Sequence, residues 1–288
     1  MDFQFRAIVV SFAFVPIVAP ASADDQVHFA PHRAVYEISL AKSTSGSGVA
    51  GLSGRMVYEL SGSACEGYTQ NMRFVTRMSN QEGGDSINDL RNSSWEAAAG
   101  KRLRFSATQF QDEAVIEASQ GDANRNKNDT AAAVELVKPH KTRIKLPADI
   151  YFPMQHAAAL IQAAKNGQKI FSASVYDGTE KGTKVYLTNA VIGKPESVGA
   201  FKLGDQKNKA SFKDVARLAT LQSWPMSISY FEMGQDKQDA PPAYELAYHF
   251  YENGVTTDLQ IDYGEFAIKG ELKDLTFLPE SSCSSPVH

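Results

Sequence analysis

Along residues 68–78, Tyr68, Met72, Phe74 and Met78 share one parity while Arg73 and Arg77 take the other, the two-residue period of a strand with one buried face. Tyr244, Leu246, Tyr248 and Phe250 repeat this opposite Glu245 and His249, and Val255, Thr257, Leu259, Ile261 and Tyr263 answer after a turn. Between those runs stands Asn253-Gly254, the residue pair that a tight hairpin favours because both central positions need positive φ. Similar patterns mark strands near 34–40, 51–61, 101–110, 112–119, 133–138, 169–177, 183–192, 212–222, 226–233 and 266–277. So many short runs predict a mostly β protein built on one large antiparallel sheet, curled or closed on itself. The polar stretches 122–129, 202–209 and 236–242 read as solvated loops.

Period two breaks once, at FPMQHAAALIQAAKNG, residues 152–167. Pro153 suits the first helical position, where its missing N–H would be unpaired anyway, and Gly167 suits the residue beyond the end. The spacing predicts a central helix over about 153–166. Gln155, Gln162 and Asn166 project on one side, Ala157, Leu160, Ile161 and Ala164 on the other, and His156 falls at the border. Its structural reading is a packed ring with one nitrogen bonded to a backbone carbonyl. A hydrolytic His156 would need a nucleophile or carboxylate delivered by the fold, and no serine here sits in a G-x-S-x-G elbow.

The start of the chain sets the compartment. Arg6 precedes an apolar run over 7–19, broken by Ser11 and Pro16, and Pro20-Ala21-Ser22-Ala23 follows, the order of a secretory signal cleaved after Ala23. That run is shorter than the roughly 20 residues a spanning helix needs. The expected mature chain, 24–288, is an exported single domain. Its formal charge of −4 argues against nucleic acid as partner.

Only Cys65 and Cys283 are present. An even pair in an exported chain reads as a disulfide, with two free buried thiols as the alternative. If paired, they bring the start of the mature chain beside its end, which favours one curled architecture over two separate units.

Other motifs fail on their own terms. Residues 46–51 match G-x-G-x-x-G but open a β pattern rather than a helix. Asp122, Asn124 and Asn126 begin like a calcium loop, yet Lys127 stands where glycine is needed and Ala133 where a bidentate glutamate is needed. His28 and His32 straddle Pro31, so a regular helix cannot align them for a metal. No metal site and no cofactor are expected. The 16 Phe, 11 Tyr and 2 Trp would furnish the walls of an apolar cavity if the sheet's interior is not filled. Trp224, Tyr230 and Phe231, with His156, are the candidates for wall or rim; ordinary packing is the other reading.

The export signal, FP-x-x-H opening the helix at 152–156, VYDG at 175–178, WP-x-S-I-S-Y-F at 224–231 and one cysteine near each end together resemble the EipB family. The resemblance implies a β-spiral, similar in part to the LolA and LolB lipoprotein carriers, in the periplasm, with the disulfide on Cys65 and Cys283. It implies a role in cell-envelope integrity under stress, exercised through periplasmic protein partners such as a tetratricopeptide-repeat protein, and it brings no catalytic residues, so no enzyme is expected. The alternative function is that of a carrier for lipid or lipoprotein acyl chains.

Overall fold

The computed structural model describes residues 27–125, 131–196, 214–234, 240–281 and 283. The expected export signal, the 202–209 loop and part of the 236–242 loop lie outside them. A first meander comprises β1 (His32–Ser43), β2 (Val49–Ser63), β3 (Gly67–Asn80), β4 (Asp85–Glu96), β5 (Arg102–Gln111), β6 (Ala114–Arg125), β7 (Ala132–Lys138) and β8 (Thr142–Lys145). Helix α1 (Pro153–Lys165) follows. The second meander is β9 (Ile170–Val175), β10 (Tyr186–Ile192), β11 (Ser223–Glu232), β12 (Tyr244–Tyr251), β13 (Thr256–Asp262) and β14 (Phe266–Phe277), with one helical turn, α2 (Val215–Leu218), between β10 and β11.

All fourteen strands form one antiparallel sheet, because the last strand pairs with the first: the order runs from β8 down to β1, then from β14 down to β9. Tyr36 lies opposite Leu272 and Ile38 opposite Gly270 in that central ladder. The sheet does not close. Its free edges, β8 and β9, are the two strands that flank α1 in sequence, and the helix packs on the inner face of the sheet. One short parallel bridge ties its approach to an edge, with the Tyr151 N–H donating to the Ser174 carbonyl at 2.7 Å.

The coil of the sheet follows from twist and from bulges. Register shifts interrupt β1 against β14 between Val35 and Tyr36 and again between Leu40 and Lys42. At Gly54 in β2 a Cβ would stand 2.2 Å from the Val75 carbonyl oxygen, so only glycine permits β3 to approach there. The expected Asn253-Gly254 hairpin joins β12 to β13; Gly254 has φ +88°, and a Cβ on it would strike the ring of Phe29.

Four segments depart from the sequence reading. Residues 214–221, inside the expected strand 212–222, hold the helical turn α2, whose Leu218 is fully buried; Leu218 and Leu221 pack three residues apart, a helical rather than a strand spacing. Residues 122–125 belong to β6 rather than to a loop, because Asp122 is tied to Arg102 and Arg104 across the ladder. Strands β4 and β8 carry no legible alternation, β4 because its inner face is itself polar over Asn92, Ser94 and Glu96.

Cys65, in the turn between β2 and β3, is disulfide-bonded to Cys283 beyond β14, with Cα atoms 5.9 Å apart at a sequence separation of 218. Neither cysteine is free. The bond fastens the end of the chain to the hairpin beside β1 and closes a loop whose entropy in the unfolded state is worth roughly 5 kcal/mol in the chain-entropy model. Cys65→Ser and Cys283→Ser are each expected to lower stability by about 2–5 kcal/mol in denaturant titration, and the double variant to match either single one; additive losses would show that the two thiols act separately.

Candidate binding cavity

The concave face of the coil is not filled. A cavity of about 570 Å³ lies between the meanders, within the range of ligand pockets. Met56, Tyr58, Met72 and Phe74 of β2 and β3 form one wall, and Leu246, Tyr248, Phe250 and Ile261 of β12 and β13 the other. These are the alternating apolar positions of the sequence. Pro153, Met154 and Ala157 of α1 stop one end. Elsewhere on the boundary Glu117, Asp177 and Glu180 contribute carboxylates, and the Tyr186 hydroxyl donates to Glu180. Burial raises the phenols of Tyr58 and Tyr248 far above the ordinary tyrosine value, and that of Tyr36 to about 12, so this part of the wall stays uncharged.

Helix α1 buries one face, formed by Met154, His156, Leu160, Ile161, Ala163 and Ala164, and leaves Lys165 exposed. Met154, Leu160, Ile161 and Ala164 pack with Trp224, Met226 and Ile228 of β11. Its N-terminal N–H groups are met by a residue far away in sequence: Glu96, at the end of β4, accepts the N–H of Met154 at 2.7 Å and of Gln155 at 3.0 Å. A carboxylate at a helix N-terminus offsets the unpaired donors and the helix dipole. Glu96 is only 2 % exposed, and burial pushes its carboxyl up to about 7 despite those N–H donors and the charge of Arg125. The opposite end closes on Gly167, φ +73°, with Gln168 N–H reaching back to the Ala163 carbonyl.

His156 sits inside this plug rather than at a border with solvent, 5 % exposed. Its Nε2 lies 3.2 Å from the Thr188 hydroxyl oxygen, whose own hydrogen is donated to the Ala173 carbonyl at 2.9 Å. The imidazole therefore donates from Nε2. Its bonding partner is a threonine hydroxyl, not the backbone carbonyl expected. The ring meets Tyr151 edge-on and lies tilted against Phe171, and burial lowers its pKa to about 4. This is the environment of a packed neutral histidine. Trp224 is fully buried in the same cluster. Tyr230 stacks on Tyr244, 4.5 Å between centroids, so it backs a cavity residue without lining the space. Phe231 pairs with Leu187, which is on the exposed face of β10. His156 and Trp224 are thus both buried, while the residues that touch the space are others. Glu96, Gln70 and Asn92 carried no sequence signal, because polar residues on a strand normally mark its wet face.

Among the described residues no cluster of His, Cys, Asp or Glu is suited to a metal ion, and no helix is long and apolar enough to cross a membrane. What the fold and site define is a β-barrel-like protein: an open coiled sheet, a helical plug and an apolar cavity between them. The chain belongs to the EipB-like family, whose model matches residues 23–279. It is 36% identical over 264 residues to the cell envelope integrity protein EipB of Brucella abortus (strain 2308), covering 92% of this chain and 90% of that relative. The crystal structure of a beta-barrel-like protein of a domain of unknown function from Brucella abortus is similar with a TM-score of 0.77 at 35% identity, covering 88% of this chain and 100% of that one.

Two buried groups give stability opposite dependences on pH. Between about 4.5 and 7 the folded chain retains a proton on Glu96 that the unfolded chain has lost, so this contribution is full below 4.5 and falls by about 3 kcal/mol as the pH rises through 7. Folding keeps His156 neutral between about 6.5 and 4, so its contribution is full above 6.5 and is lost, by a similar amount, as the pH falls through 4. Denaturant titrations across this range are expected to show Glu96→Gln gaining on the wild type as pH rises and His156→Gln gaining as pH falls. Differences that stay constant with pH would show that neither group titrates inside the fold.

Proposed function

We propose that this protein supports cell-envelope integrity in the periplasm without catalysis, by holding an apolar envelope component, such as an acyl chain, in its cavity. The observation that carries this reading is the cavity itself, a space of about 570 Å³ walled by Met, Phe, Leu, Ile and Tyr side chains. A packed β core closes such a space at a gain of dispersion and burial energy; a binding protein leaves it open. The 36% identical relative's name, cell envelope integrity protein, supports the biological setting, and the export signal at 1–23 supports the compartment. The neutral, carboxylate-free surroundings of His156 support a role without general-base chemistry.

A second reading, docking of a periplasmic protein such as a tetratricopeptide-repeat protein, draws on edge strand β9. There Ile170 and Val191 form a cross-strand pair exposed by 69% and 59%, and an edge strand with exposed apolar side chains is a site for added strands.

Native mass spectrometry of the protein purified from its own periplasm is expected to show a mass above that of residues 24–288, shed as a lipid on gentle activation. Ala157→Phe, which fills the cavity from the plug, is expected to remove that mass and to fail to restore detergent resistance to a deletion strain while retaining wild-type thermal stability. A bare wild-type mass, with Ala157→Phe fully active, would overturn the cavity reading in favour of docking at the edge.

A further inference from the structure

The cavity has two unlike ends. Phe29, Leu60 and Phe250 are buried and close the first. Along β12, Tyr244 stands six residues from Phe250, roughly 20 Å at the rise of a strand, and belongs to the second. Exposure identifies that second end as the mouth: Tyr263, beside Tyr244, is 40% exposed, Glu180 is exposed, and Glu117 and Asp177 are half-buried, all of them on the cavity boundary.

The mouth gathers carboxylates and aromatic faces. The loop after β9 carries Asp177 and Glu180 and is fastened to β6, where the Ser119 hydroxyl donates to the Gly178 carbonyl at 2.7 Å and the Lys181 N–H donates to Glu117 at 3.0 Å. Neutral donors alone hold the three acids: that N–H for Glu117, the N–H and hydroxyl of Thr179 for Asp177, and the Tyr186 hydroxyl for Glu180. Among the described residues none of the three is ion-paired, Lys181 included, and Lys184 is paired with Glu232 instead. Tyr244 stacks on Tyr230 at 4.5 Å and meets Tyr186 at 5.8 Å and Tyr263 at 6.4 Å. Burial, then Tyr230 and the charge of Asp177, raise the Tyr244 phenol far above its ordinary value, so the ring stays neutral beside the acids. Carboxylates on an open surface would be a solvated rim; at the mouth of an apolar space, next to tyrosine faces, they receive a cation by charge and by cation–π attraction.

We infer that the cavity takes an amphiphile with an ammonium head: the hydrocarbon chain lies toward Phe29, Leu60 and Phe250, and the ammonium stands at the mouth among Glu117, Asp177, Glu180 and the rings of Tyr244 and Tyr263. This rests on the cavity-binding reading above. A carboxylate or phosphate head without an ammonium meets like charge there, and an uncharged head leaves the acids unneutralised. The ammonium is shared by zwitterionic phospholipid heads and by free long-chain amines.

The test is calorimetric titration of the mature protein with three probes of equal chain length, decyltrimethylammonium, decanol and decanoate, at low and at high salt. The cation is expected to bind about tenfold more tightly than decanol, and decanoate more weakly than either, with both differences shrinking in high salt. Asp177→Asn combined with Glu180→Gln keeps the acceptors for Thr179 and Tyr186, so the loop holds its place; this variant is expected to bind the cation no more tightly than decanol while its affinity for decanol is unchanged. Equal binding of all three probes by the wild type, or tighter binding of decanoate, overturns the ammonium head while leaving the cavity reading in place. A cation preference undiminished in the double variant overturns the assignment to these carboxylates, and no binding of any probe overturns the cavity reading as well. Lauroyl lysophosphatidylethanolamine set against dodecylamine then separates the sources: whichever binds more tightly names the phospholipid head or the free amine as the occupant.

Discussion

The ladder between β1 and β14 is the joint on which this molecule turns. Each meander is built from hairpins between neighbours in sequence, but the pairing of residues 32–43 with 266–277 joins the two meanders into one sheet. Two separate sheets of eight and six strands would each have a wet face and a sticky edge at the join. United, they coil until their inner faces oppose each other, and the hydrophobic parity of every strand then points into a shared interior. The disulfide reinforces the same place, since it fastens the segment after β14 to the hairpin that follows β1's neighbour.

Coiling around a joint leaves the two outermost strands unpaired with each other, and the connection between them is the helix. That arrangement turns α1 into a stopper whose apolar face packs on the sheet. A stopper needs its polar ends settled, and Glu96 and the Gly167 turn settle them. The carboxylate is kept close to its neutral form by burial, so helix anchorage is sensitive to proton concentration where an exposed cap would not be. His156 is the counterpart inside the plug, held neutral against Thr188. The cavity is what remains between the stopper and the two walls.

Strands whose two faces differ in polarity were legible, as at 68–78 and 244–250, because burial on one side imposes the alternation. Strand β4 was not, since Asn92, Ser94 and Glu96 face inward and its outward Asp89 is shielded by Arg73 and Arg91; a polar inner face gives no contrast to read. The aromatic candidates were misplaced for a related reason. Trp224 is large and apolar wherever it sits, and composition cannot say whether such a ring fills a core or borders a space. His156 reads as one residue on a helix border until the plug is seen to be enclosed by sheet.

What the residues determined by themselves was local: strand parity, the Asn-Gly hairpin, the helix with its proline start and glycine stop, and two cysteines suited to pairing. Periodicity and turn chemistry act over a few residues, so they survive in the linear chain. What only the tertiary structure decided was the pairing of β1 with β14, the anchoring of α1 by Glu96 from 57 residues upstream of Pro153, and the apolar space between the two meanders. Those depend on how far the sheet twists and coils, a sum over all fourteen strands that no single stretch of sequence contains.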